Sequence, residues 1–276
     1  MEFIDPVQRK GFTQILKRNL IPITVACTIF GCSQQPQEQQ PQEQQHTGTQ
    51  NEQQHTEKSN NEVRRPVEVS GSEITSLETS LKESGLVNLS VLDTTILVDL
   101  KYSTENNFVG VDVYGTLENC YLQPMVANML VAAQKELHRR KPGFRLLLYD
   151  CARPLSVQQI LWDTLQKPEN VKHLYVADPK EGSIHNYGSA VDLTVADPYG
   201  TPLDMGTGYD HFSELAYPSK EEELLESGAL TREQIENRHL LRVVMVHAGF
   251  TTIDTEWWHF NAYSRDRAKE LFKIIE

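Results

Sequence analysis

Two short segments of this chain concentrate residues able to hold a metal ion and move protons: Ser183-Ile-His185-Asn-Tyr-Gly188-Ser-Ala-Val-Asp192 and Glu256-Trp-Trp-His259. His185, Asp192 and His259 offer two neutral imidazoles and one carboxylate. That donor set suits zinc and leaves a fourth position open, as catalytic sites do and structural sites do not. Gly188 and Ala190 are small, so the chain can turn tightly enough between His185 and Asp192 for both to approach one ion. Glu256, three residues before His259, is placed to act as a base on water at that ion, or alternatively to orient the ligand histidine from outside. Each residue alone reads as an ordinary core or surface side chain, as His247 on a helical segment does. The specificity lies in the combination, H-x6-D followed downstream by E-x-x-H.

These residues need a scaffold, and the pattern around them supplies one. Ile74, Leu77 and Leu81 have helical spacing and Gly85 ends that segment; Ile96 to Tyr102 alternates like a strand. Pro124 suits a first helical turn, Val126, Met129, Leu130, Ala133 and Leu137 form one apolar stripe, and Lys141-Pro142-Gly143 stops it. Phe144 to Asp150 reads as a buried strand, Leu155 to Lys167 as helix, and Ala190 to Val195 as strand. Thr231-x-x-Gln234 forms a capping box opening a helix that Gly249 closes, and FTTIDTEWWHF follows as strand. The expectation is an α+β fold: a single compact domain, residues 70–276, with a central, mostly antiparallel sheet flanked by helices and the zinc site on the sheet.

Upstream the composition changes. Arg9, Lys10, Lys17 and Arg18 precede an apolar stretch from Leu20 to Gly31 that is too short to span a bilayer, so residues 1–31 read as an export signal. The stretch closes as Ile29-Phe30-Gly31-Cys32, similar to a bacterial lipobox, which would leave Cys32 as a lipidated N-terminus; Thr24-Val25-Ala26-Cys27 is the rival site. Residues 32–69 form a Gln, Glu and Pro-rich stretch, almost free of apolar side chains, that reads as a disordered tether. The expected location is the bacterial envelope, with the domain held to a membrane by an N-terminal lipid.

The 276 residues carry Lys+Arg 26 against Asp+Glu 38, a formal net charge of -12. That excess repels phosphate backbones, so no nucleic-acid partner is expected. If signal and anchor consume Cys27 and Cys32, the remainder is Cys120 and Cys151, an even pair in an oxidising compartment. A disulfide between them is the expectation; two free buried thiols are the alternative.

The two metal-binding segments, together with YDCARP (149–154) and VDLKYSTENNFVG (98–110), resemble the zinc-dependent D-alanyl-D-alanine dipeptidases, a bacterial family related to D,D-carboxypeptidases. The resemblance spans the whole domain. It implies one zinc ion per chain on His185, Asp192 and His259, Glu256 as catalytic acid and base, and Arg153 at the reacting carbonyl. It further implies that Tyr102, Ser183 and Asp210 contact a small D,D-dipeptide or cell-wall peptide. Outside the resemblance, Arg153 reads equally as a structural arginine paired with Asp150, and Asp210 as a solvated acid on a Gly-rich loop. Ala152 and Asn186-Tyr187 depart from the family pattern at positions that are not ligands. A D,D- or L,D-carboxypeptidase trimming peptidoglycan stems, or a non-catalytic zinc lipoprotein that binds cell wall, are the competing functions.

Overall fold

The computed structural model describes residues 71–276. The export signal, Cys27, Cys32 and the tether lie outside the described residues. In chain order the elements are α1 (Gly71–Glu83), β1 (Val87–Asn88), α2 (Leu89–Leu92), β2 (Leu97–Val98), β3 (Tyr121–Leu122), α3 (Pro124–Arg140), β4 (Arg145–Asp150), α4 (Leu155–Thr164) and α5 (Glu169–Lys172). They continue with β5 (Ala190–Ala196), α6 (Glu221–Glu226), α7 (Arg232–His247), β6 (Thr251–Thr252), β7 (His259–Asn261) and α8 (Arg265–Leu271).

The main sheet has the order β2-β4-β5-β7-β6, and β2 on β4 is its single parallel pairing. This is the expected α+β arrangement with a mostly antiparallel sheet. β5 is buried at every position and β4 at all but its first, which is why both read as apolar runs rather than alternating strands. α3 and α7 pack on one another and against these two strands. The stripe Val126, Leu130, Ala133 and Leu137 is fully buried in that layer. α7 begins as its sequence dictates: the Thr231 hydroxyl accepts from the Gln234 N–H, and the Gln234 side chain accepts from the Thr231 N–H.

Two expected strands are shorter than their patterns. Of Ile96 to Tyr102 only Leu97–Val98 pairs as strand, because the chain turns into a 3-10 helix at Lys101–Ser103 that swings Tyr102 toward the site. FTTIDTEWWHF is not continuous strand either: β6 and β7 are its two ends, and residues 253–258 leave the sheet. The Trp257 N–H donates to the Ala216 carbonyl at 3.1 Å rather than to a strand, and both tryptophan rings are buried. The departure carries Glu256 into a loop.

Cys120, just before β3, and Cys151, just after β4, form a disulfide with Cα atoms 5.6 Å apart. The bond closes a loop of 31 residues, for which the chain-entropy estimate is roughly 3–4 kcal/mol. A Cys120→Ser/Cys151→Ser variant is therefore expected to unfold at lower urea, measured by circular dichroism, with an unchanged midpoint as the contrary result.

Candidate active site

Strand register brings two of the three expected ligands together. Asp192 on β5 and His259 on β7 are direct cross-strand partners, with His259 Nδ1 2.9 Å from Asp192 Oδ1. His185 arrives from a 3-10 turn, Ile184–Tyr187, that runs into β5. Ser183 caps this turn by accepting from the His185 N–H, and the Asn186 side chain accepts from the Ser183 N–H. Gly188 ends the turn with φ +62, a backbone conformation that favours glycine, and a Cβ there would press to 2.9 Å on the Leu86 side chain. The ligand atoms of His185, Asp192 and His259 all lie within 4.8 Å of one another.

Hydrogen bonds outside the trio select which atoms face its centre. His185 Nδ1 lies 2.7 Å from the Cys151 carbonyl oxygen and donates to it, leaving the lone pair on Nε2, 3.4 Å from Asp192 Oδ1. His259 Nε2 lies 2.9 Å from Asn261 Oδ1, which frees Nδ1. Tyr209 donates to Asp192 Oδ2 at 2.9 Å, so Oδ1 is the oxygen turned to the imidazoles. Both rings thus present an unprotonated nitrogen with the opposite N–H engaged, the arrangement a divalent ion requires of histidine ligands. The residues present fit a metal ion on donor chemistry and on orientation.

Around this centre is a cleft of about 300 Å³ that includes Tyr102, Arg153, Ser183, Asp210 and Glu256 among its walls. Glu256 Oε2 is 4.0 Å from His259 Nδ1, and burial pushes its carboxyl up to about 8. Arg153 is 7% exposed, and its geometry admits both readings of it. Its Nε (2.9 Å) and Nη2 donate to Asp150 Oδ2 and its Nη1 to Gln158 Oε1, so it is ion-paired in the core; yet Nη2 is also 3.8 Å from Asp192 Oδ2, and N–H groups remain for the cleft. Burial opposes its charge, and Asp150 together with Tyr102, Tyr114 and Tyr209 more than offsets this, raising the guanidinium above its ordinary range. Asp210, at φ +57, accepts from the Tyr102 hydroxyl at 3.1 Å. Burial lifts its carboxyl well above the ordinary value and keeps the Tyr102 phenol protonated.

Sequence reasoning named Asp150 only as a structural partner of Arg153, and it missed three residues of this arrangement: Gln158, Tyr209 and Asn261. Asn261 had a signal, since two residues past His259 on a strand is the same face. Tyr209 had none, because its bond to Asp192 spans a loop.

An α+β domain that gathers two imidazoles and two carboxyl groups at the wall of a cleft has the side chains of a metal-dependent hydrolase. The family model described as D-ala-D-ala dipeptidase, of the M15 peptidases, matches residues 82–275, which contain every residue of the candidate site. The chain belongs to that family and is a metallopeptidase. It is 32% identical over 176 residues to a D-alanyl-D-alanine dipeptidase of Escherichia coli, covering 63% of this chain and 83% of the relative. It is 29% identical over 181 residues to one of Synechocystis, covering 55% and 73%, and 26% identical over 195 residues to one of Enterococcus faecalis, covering 64% and 91%.

Proposed function

We propose that this chain hydrolyses D-Ala-D-Ala to two D-alanines with one zinc ion held by His185, Asp192 and His259. Family membership supports the reaction. The observation that favours a dipeptide is Asp210: a cleft acid hydrogen-bonded to the phenol of Tyr102 and to no basic side chain among the described residues. The free ammonium of a dipeptide supplies the missing cation, whereas a longer stem peptide has an amide at that position.

When bound, the zinc ion supplies Lewis-acid polarisation of the scissile carbonyl and makes water nucleophilic near neutral pH. The chain's own residues do the rest. Glu256 accepts the proton of the attacking water on its carboxylate and passes it to the departing amine. Arg153, held rigid by Asp150 and Gln158, directs its remaining N–H groups at the carbonyl oxygen as negative charge develops there. Cys151, Asn261 and Tyr209 hold the three ligands in orientation.

The test is release of D-alanine by the purified full chain, with metal analysis, against three substrates: D-Ala-D-Ala, its N-acetyl derivative and a stem pentapeptide. Cleavage of the free dipeptide alone, lost with chelator and restored by zinc, is expected. Preference for the pentapeptide would make the enzyme a carboxypeptidase, and metal binding without turnover would make it a binding lipoprotein. The same proposal sets the enzyme in the bacterial envelope, anchored through a lipid on Cys32. Labelling of the expressed full chain by radioactive palmitate is then expected to vanish in Cys32→Ser, and persistence would shift the anchor to another cysteine.

A further inference from the structure

The site depends on a segment with little regular structure. Residues 205–216 carry Tyr209, which holds Asp192, and Asp210, the sole non-glycine at positive φ among the described residues. A backbone in that region is held by its surroundings. The surroundings here are one face of α7. Gln234 Nε2 donates to Asp204 Oδ2 at 2.8 Å, and Asn237 Nδ2 to the Asp204 carbonyl at 2.9 Å. Arg238 then reaches both ends of the segment: Nε donates to the Met205 carbonyl at 2.7 Å and Nη2 to the Leu215 carbonyl at 2.9 Å. Its Cζ lies 5.9 Å from the Trp257 ring, and Trp257 donates its Nε1 to Thr207 Oγ1 at 2.7 Å. Trp257 in turn adjoins Glu256.

Arg238 is a costly residue to keep. It is 1% exposed, its Nη1 has no hydrogen-bond partner, and the nearest acid, Glu221 at 3.8 Å, spends the same oxygen on Arg242 at 2.6 Å. An apolar side chain would fill the space without the desolvation penalty. It could not bind two carbonyls at opposite ends of one loop.

We propose that Arg238 is a positioning residue that sets the loop presenting Asp210 to the substrate ammonium. The proposal rests on the reading of Asp210 given above. In Arg238→Met the KM for D-Ala-D-Ala rises by at least about tenfold while zinc content holds at one ion per chain, since small displacements of a positioning group have large effects. Discrimination between the free dipeptide and its N-acetyl derivative shrinks by a similar factor, and amide exchange speeds up across 205–216. Arg238→Lys, which keeps a donor, recovers part of the KM, and it decides the matter alone if Arg238→Met does not fold. A wild-type KM in either folded variant overturns the proposal. Asp210→Asn separates the two readings: an unchanged KM there means the ammonium contact itself is wrong, whereas a raised KM beside a wild-type KM in the Arg238 variants means only Arg238 was misassigned.

Discussion

Glu256→Gln is expected to lower kcat by about 10²–10⁴-fold, the range for removal of a general acid-base group, while zinc content stays at one ion per chain. Glutamine keeps the volume and a carbonyl oxygen but cannot accept and return a proton. The position of Glu256 suits a proton carrier: it is in the cleft, 4.0 Å from a nitrogen of His259 and outside the trio whose atoms converge. Burial that pushes its carboxyl up to about 8 gives it an affinity for protons that an exposed glutamate lacks near neutrality. The competing role, orienting His259, makes the opposite prediction. Zinc affinity would fall by about 10–100-fold and turnover of the zinc-loaded protein would persist. Turnover per bound zinc, with the metal measured by mass spectrometry, separates the two.

Arg153→Ala is expected to cost both activity and stability, and the two losses have different owners. Removing a charge-stabilising donor costs about 10²–10³-fold in kcat. Removing the partner of a buried carboxylate also leaves Asp150 charged, with only the Tyr114 hydroxyl and the Cys151 N–H as donors. Breaking a buried pair in this way costs about 3–5 kcal/mol. At about 2–4 °C per kcal/mol for a domain of this size, melting should fall by roughly 6–20 °C. The double variant Arg153→Ala/Asp150→Asn decides between a structural and a catalytic arginine, because it removes the uncompensated charge without restoring the guanidinium. Its melting temperature should recover much of the loss and its kcat should not. Recovery of both would return Arg153 to the purely structural role that its bond to Asp150 also permits.

Much of the scaffold was legible because its signals are local. The capping box of α7, the apolar stripe of α3 and the buried runs of β4 and β5 each depend on residues within a few positions of one another, where periodicity and side-chain hydrogen bonding act directly. The two overlong strands show the limit of that reasoning. The alternation in Ile96 to Tyr102 says nothing of the pull of Asp210 on Tyr102, and the EWWH segment does not announce that the Trp257 N–H donates to the distant Ala216 carbonyl instead of to a strand.

The candidate site divides along the same line. Residue types and order alone singled out two histidines, an aspartate and a nearby glutamate as the candidates for metal ligation and proton transfer, because those are properties of side chains wherever they sit. Only the tertiary structure decided that Asp192 and His259 face one another across a strand pair, that the Cys151 carbonyl and Asn261 select the free nitrogen on each ring, and that Arg153 is shared between a core carboxylate and the cleft. Those outcomes depend on strand register, on burial and on hydrogen bonds between residues as far apart as Cys151 and His185, 34 positions, and no local pattern encodes them.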